Sequence, residues 1–290
     1  MKLESPTEAI NLLTDSQVVA LPTETVYGLA GRYDSAEAIQ RIFETKERPH
    51  FDPLIVHVSN ADQAKELVKS WPGLAQTLAD AFWPGPLTMV LPKNDNVSDR
   101  ITSGLPTVAL RSPDHRGFRS IIADLGIPLA APSANRFGKT SPTTAEHVES
   151  EFDGKVPVMD GGPCTIGLES TVVAIELDRI QILRPGAITE EMIKKVVNVD
   201  VSTQSREDSP GHLKNHYEPD APLYLSEKED LPEMQLSPDP LIVARELYGH
   251  LREMAAKSPK GFYIQKSRYP TDGIWQAIWD RIERAAVKSQ

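Results

Sequence analysis

Residues 34–58 read DSAEAIQRIFETKERPHFDPLIVHV, and a change of period inside this stretch decides the fold class. Across 34–46 the apolar residues Ala36, Ile39, Ile42 and Phe43 recur at helical spacing, and Asp34 with Glu37 three places on forms a capping signal. Across 54–58 the period becomes that of a strand. Ile55 and His57 share one face, and Leu54, Val56 and Val58 take the other. A helix handed to a short apolar strand through a proline-bounded loop is the repeating unit of an α/β fold.

Working outward, the same signals place further strands at 18–21, 87–91, 107–111, 128–131, 171–177 and 181–183. Asn60 with Gln63, and Thr143 with Glu146, mark two more helix starts. Residues 1–201 thus form one α/β domain. Residues 202–222 are polar, broken by Pro and Gly, and read as a linker. Residues 223–290 offer strands at 222–225 and 262–265 and helices at 243–256 and 274–286, a small βαβ-like appendage at the edge of independent stability.

Composition excludes several classes. The chain has 290 residues, 40% hydrophobic and 25% charged, as expected of a soluble globular protein. No run is long enough to span a bilayer, the N-terminus lacks an apolar signal core, and the single cysteine, Cys164, permits neither a disulfide framework nor a cysteine zinc cluster. The expectation is a cytoplasmic protein. A net charge of −10 argues against broad nucleic-acid binding, which needs excess Lys and Arg. Yet 100–139 carries six basic residues against Asp114 and Asp124, which suggests a focused anion site.

Four segments could carry chemistry. In TVALR (107–111), Arg111 lies on a strand of an apolar sheet and needs an anionic partner, either an internal acid or a ligand carboxylate. His57 by itself reads more readily as structural. In KERPHFDP (46–53), Lys46 and Arg48 follow a helix; they cap its carbonyls, or Pro49 and Pro53 hold both outward as phosphate ligands. In PSANRFGKTSPTT (132–144), Ser133, Asn135, Gly138, Thr140 and Ser141 form a small-residue loop whose amides suit phosphate oxygens or a plain turn. It is not a P-loop, since Ser133 stands where that motif needs glycine. Finally, GLESTVV (167–173) and ILRPG (182–186) put Ser170 and Arg184 at strand edges.

Together with LPTETVYGLA (21–30), FWPGPLTMVLP (82–92) and SPGHLKNHYEPDAPL (209–223), these segments resemble, in family order, the Sua5/YrdC family of L-threonylcarbamoyladenylate synthases, in its linker-bearing Sua5 branch. The resemblance covers residues 1–222. It implies a twisted mixed α/β sheet with flanking helices around a concave positive cleft. It implies that threonine, bicarbonate or CO2 and ATP, with Mg2+ carried on the triphosphate and no protein metal site, give threonylcarbamoyl-AMP and pyrophosphate. A tRNA threonylcarbamoyl-transferase complex would then carry the group to adenosine 37 of tRNA, with at most a weak tRNA contact here and no membrane. By motif position, Thr25, His57, Arg111 and Ser170 would bind threonine. Lys46, Arg48, Asp52, Thr107, Ser133, Ser141, Arg184 and Tyr217 would hold ATP, with Lys46, Arg48 and Arg184 offsetting charge in the transition state and His216 and Tyr217 closing as a lid. Asp52 stands where the family commonly has Asn, which points it toward metal or ribose. The C-terminal part is short: ARELYGHLREM (244–254) and GIWQAIWDRIERAA (273–286) resemble later helices of the family's Rossmann-like domain, without its opening βαβ portion. Two rival readings are a non-catalytic RNA-binding module and O-carbamoyl transfer of the hydrogenase-maturation type. The first lacks a basic surface with interleaved aromatics, and the second lacks its acylphosphatase module and zinc fingers.

Overall fold

A computed structural model describes residues 1–176, 178–203 and 216–287. Most of the 202–222 linker therefore lies outside the described residues, as does Leu177 at the end of an expected strand. In chain order the strands are β1 (Lys2–Leu3), β2 (Val19–Leu21), β3 (Gly28–Arg32), β4 (Ile55–His57), β5 (Leu87–Pro92), β6 (Thr107–Arg111), β7 (Leu129–Ala130), β8 (Val158–Met159), β9 (Thr171–Ile175), β10 (Arg179–Arg184) and β11 (Asp200–Thr203). They form one sheet in the order β1-β8-β2-β3-β7-β4-β6-β5-β9-β10-β11. It is mixed: β4 pairs with β6 in parallel, β6 with β5 antiparallel, β5 with β9 in parallel, and β9 with β10 antiparallel. The expected twisted, mixed sheet with flanking helices is what is found.

Helix 36–46 begins one residue later than its capping signal suggested. The cap is Ser35, whose side chain accepts from the Ala38 amide, and Ala38 rather than Ala36 completes the buried stripe with Ile39, Ile42 and Phe43. Similarly, Thr144 and not Thr143 caps helix Ala145–Glu151. A hydroxyl one place nearer the first turn reaches the third amide on, so it displaces the earlier candidate. Strand β3 was unforeseen. Its sequence, GLAGR, has weak strand propensity, but a Cβ at Gly31 would meet Ile42 and Ala38 at 3.1 and 3.3 Å, so helix 36–46 packs directly on the backbone.

The C-terminal unit is a βαβ turn with a closing helix. β12 (Leu223–Tyr224) pairs in parallel with β13 (Phe262–Tyr263), and two helices follow the strands, α1 (Pro240–Lys257) and α2 (Ile274–Ala285). Leu247, Leu251, Phe262, Ile278, Trp279 and Ile282 fill its core, which continues through Tyr217 of the linker to Val26 and Leu168 of the large domain. Contact with the larger body supplies the burial that seventy residues would lack alone.

Candidate active site

A buried hollow lies over the sheet face that carries Ile55, His57 and Arg111, while Leu54, Val56 and Val58 enter the main core. Strand alternation had assigned the faces within each of the two strands. The β4–β6 register sets His57 beside Arg111. Ser170 precedes β9, and Arg184 ends the antiparallel β10, so both arrive at the same end of the sheet. Gly186 permits their close approach, because a Cβ there would sit 2.4 Å from the Thr171 amide nitrogen. Thr25, Arg48, Ser133 and Tyr217 complete the lining from four other segments. The hollow encloses about 60 Å³, room for a few waters.

Arg111 has the internal acid that the sequence allowed as one alternative. Its Nη2 lies 2.7 Å from Glu24 Oε1, both side chains are buried, and its Nε donates to the Gly85 carbonyl. The contact is an ion pair without an aligned hydrogen bond: among the described residues, Arg111 Nη2 and both Glu24 carboxylate oxygens lack a hydrogen-bond partner. A guanidinium has five donors, so one held by Glu24 can still present others to the hollow that it lines. Burial, then the neighbouring Arg111 charge, pushes His57 down to about 3, so it stays neutral near pH 7; its Nδ1 is also without a partner.

Two more arginines face the hollow. Arg48 Nη2 lies 2.9 Å from Asp52 Oδ2 and donates to the Pro53 carbonyl. Arg184 donates through Nε and Nη2 to the Ser170 carbonyl, at 3.1 and 3.0 Å, and through Nη2 to Ser170 Oγ. Ser170 Oγ lies 2.7 Å from Thr88 Oγ1. The neighbouring carboxylate is Glu169. It accepts from Ser141 Oγ at 2.6 Å, Tyr248 Oη at 2.7 Å and Arg281 Nε at 2.8 Å. Burial alone would raise its pKa, but the Arg281 and Arg184 charges and the Ser141 hydroxyl prevail and hold it at about 2.

Four of the expected ATP residues do not line the hollow. Lys46 Nζ points at the Ser133 and Asn135 carbonyls, 2.6 Å from each, and burial with the Arg48 charge drives it well below lysine's usual pKa. It ties the Ser133 loop together, and of the two cations only Arg48 faces the cavity. Asp52 is neutralised by Arg48 rather than turned toward a metal or ribose. Thr107 sits at the far end of β6, about 13 Å along the strand from Arg111. Ser141 is spent on Glu169.

His216 and Tyr217, from the linker, do line the hollow. Burial pushes the His216 ring down to about 3 and the Tyr217 phenol up to about 12, and neither His216 Nδ1 nor Tyr217 Oη has a hydrogen-bond partner among the described residues. Glu24, Glu169, Tyr248 and Arg281 were missed. Glu24 and Glu169 sit inside recognised stretches, where an acid looks like turn or surface chemistry. Nothing local distinguishes Arg281 from the other charges of an amphipathic helix.

A mixed α/β sheet with one buried hollow lined by three arginines from separate segments defines a class: an α/β protein built to hold an anionic ligand at strand ends. A family profile, Sua5_yciO_yrdC, described as "Telomere recombination", matches residues 11–186, and a second, "Threonylcarbamoyl-AMP synthase, C-terminal domain", matches 188–239 and 232–287. The chain belongs to the Sua5/YrdC family, with the C-terminal domain of its Sua5 members. It is 46% identical to the threonylcarbamoyl-AMP synthase of Bacillus subtilis over 228 residues, covering 76% of this chain and 66% of that one. The chain therefore spans about two thirds of that relative. The crystal structure of Pyrococcus abyssi Sua5 complexed with L-threonine superposes with a TM-score of 0.88 at 33% identity, covering 99% of this chain and 96% of the other. A variant of the same protein with an adjacent His and Tyr changed to Ala superposes at 0.86 and 34% identity, covering 97% and 92%.

Proposed function

We propose that the chain is a nucleotidyltransferase that makes L-threonylcarbamoyl-AMP from L-threonine, bicarbonate or CO2, and ATP, releasing pyrophosphate. The observation that carries this reading is the convergence of Arg48, Arg111 and Arg184 on one buried hollow beside Thr25, His57 and Ser170. A relative of the same fold, the Pyrococcus abyssi protein, has been solved with threonine bound.

Arg111, steadied from behind by Glu24, receives the amino-acid carboxylate, and Thr25, neutral His57 and Ser170 surround the rest of the molecule. The neutral amine attacks CO2, forming the N–C bond and shedding a proton. A carbamate oxygen then attacks the α-phosphorus, and the bond to the pyrophosphate oxygen breaks. Arg48 and Arg184, in surroundings poor in water, stabilise charge growing on phosphorus and the leaving group, and Lys46 shapes the Ser133 loop on which the phosphates lie. Magnesium enters as part of MgATP. Among the described residues no group of three or more His, Cys, Asp or Glu could hold a metal, and the lining carboxylate Glu169 is already committed to three donors. His216 and Tyr217, which line the hollow beside the arginines, close over the bound ligands as a lid. The adenylate passes to a tRNA threonylcarbamoyl-transferase complex in the cytoplasm. No helix among the described residues is long and apolar enough to cross a membrane.

Mass spectrometry of a reaction with ATP, threonine and carbon-13 bicarbonate tests this directly. The expected product is an adenylate carrying both the labelled carbon and threonine; ATP hydrolysis without that adenylate would rule the reading out. Binding of short RNA with no turnover would favour the non-catalytic alternative.

A further inference from the structure

The C-terminal unit reaches the wall of the hollow through polar side chains, Arg281 foremost. Arg281, on α2, is wholly buried, and its guanidinium makes a three-point grip: Nε donates to Glu169 Oε2 at 2.8 Å, Nη1 to the Pro185 carbonyl at 2.8 Å, and Nη2 approaches the Glu169 carbonyl at 3.4 Å. Residues 169 and 185 flank Ser170 and Arg184, the pair hydrogen-bonded to each other on the cavity wall. Tyr248, on α1, adds its hydroxyl to both Glu169 oxygens. The backbone is shaped for this contact. Gly167 has φ +80°, and a Cβ there would lie 2.5 Å from the Ala244 carbonyl and Arg245 Cα of α1. Arg281 Cζ also lies over the Tyr217 ring, 5.5 Å from its centroid, and Tyr217 lines the same hollow.

We propose that Arg281 and Tyr248 are positioning residues for the reaction, a clasp by which the C-terminal unit fixes the Ser170–Arg184 wall and thereby sets affinity for threonine and ATP. A buried Arg with two charged neighbours, Glu169 and Asp280, is an expensive way to join two domains that an apolar contact would join as well. What an apolar contact lacks is direction: a planar fork with donors in fixed geometry sets the separation and angle of the two segments it spans. The unit, though small, is then part of the site. Tyr248 and Arg281 touch no substrate and act through Glu169 and the backbone at 169 and 185.

The inference rests on the proposed function, and the experiment separates the two. In the full chain, Arg281→Met, Arg281→Lys, Tyr248→Phe and Ile278→Ala are compared with wild type by pyrophosphate release and by calorimetric titration with L-threonine and with ATP. Ile278 is buried in the same C-terminal core but makes no link to Glu169. Arg281→Met is expected to raise KM and Kd for threonine and ATP tenfold or more, Tyr248→Phe about threefold, and Arg281→Lys to fall between them, because lysine can pair with the carboxylate but cannot span to Pro185. Ile278→Ala lowers the melting temperature and the active fraction while leaving both constants within twofold. Unchanged constants in Arg281→Met, or the same rise in Ile278→Ala, overturn the clasp. If Arg281→Met fails to fold, Tyr248→Phe decides by the same constants. If wild type makes no threonine-dependent adenylate, the functional reading falls, and ATP titration still decides whether the clasp shapes the wall.

Discussion

The two sides of the hollow are built to opposite rules. On the Glu169 side every buried charge is answered: the carboxylate has Ser141, Tyr248 and Arg281, and Arg184 has Ser170. On the Arg111 side, Glu24 and Arg111 meet as an ion pair without an aligned hydrogen bond, and both Glu24 carboxylate oxygens, Arg111 Nη2 and His57 Nδ1 are buried without hydrogen-bond partners among the described residues. An unsatisfied buried polar group costs about 1–3 kcal/mol, so folding alone would not favour leaving three neighbouring side chains, Glu24, Arg111 and His57, short of hydrogen bonds. The answered side keeps a shape, and the unanswered side spends stability on groups that a ligand can satisfy.

The largest test of that contrast is Arg111→Ala. It strands Glu24 as an uncompensated buried charge, so unfolding free energy by denaturant titration should fall by about 3–5 kcal/mol, and threonine KM should rise about a hundredfold. The double variant Glu24→Ala/Arg111→Ala removes the stranded charge. It should regain part of the stability and none of the affinity, and recovery of both would mean that Arg111 serves the fold alone.

Glu169→Gln probes the answered side through pH. A carboxyl held at about 2 in the folded protein, against 4.5 ordinarily, binds protons more readily when unfolded. Its contribution, on the order of 3 kcal/mol, is complete above about pH 4.5 and drains away as pH falls toward 2. Melting temperature measured from pH 6 to 2 should therefore drop more steeply in wild type than in Glu169→Gln within that window. Equal slopes would show that Arg281 does not hold the carboxylate ionised.

Tyr217→Phe removes a hydroxyl with no partner among the described residues, so its melting temperature should match wild type within about 0.5 kcal/mol of stability. Its KM for ATP should rise roughly fivefold if the hydroxyl meets the ligand. A loss of stability with unchanged KM would give Tyr217, which packs against Arg281, a role in the fold alone. The smallest effect belongs to Cys164→Ala. Burial, then the Glu24 charge, pushes that thiol up to about 12, so it is no nucleophile at pH 7. Turnover should stay within twofold; a tenfold loss would place chemistry on Cys164.

Much of this was legible in the chain itself. The switch from helical to strand period across 34–58 gave the α/β class, and alternation put Ile55 with His57 on one face of their strand and Arg111 with Thr107 and Ala109 on one face of theirs, because successive side chains on a strand must diverge; the pairing of the two strands then joined those faces. The resemblance of ordered motifs supplied most of the polar residues that line the hollow. It could not tell Arg48 from Lys46. Both are cations in one loop, and only the packed Ser133 loop decides which finds carbonyls and which finds the cavity.

Sequence alone determined the periodicities and the motif order, since both are properties of neighbours along the chain. Tertiary structure alone decided that Glu24 backs Arg111, that Asp52 quiets Arg48, and that Arg281 grips residues more than ninety positions away. Those choices are electrostatic matches made at distances of a few ångströms between segments remote in sequence. A charge carries no local mark of the partner that burial will force on it.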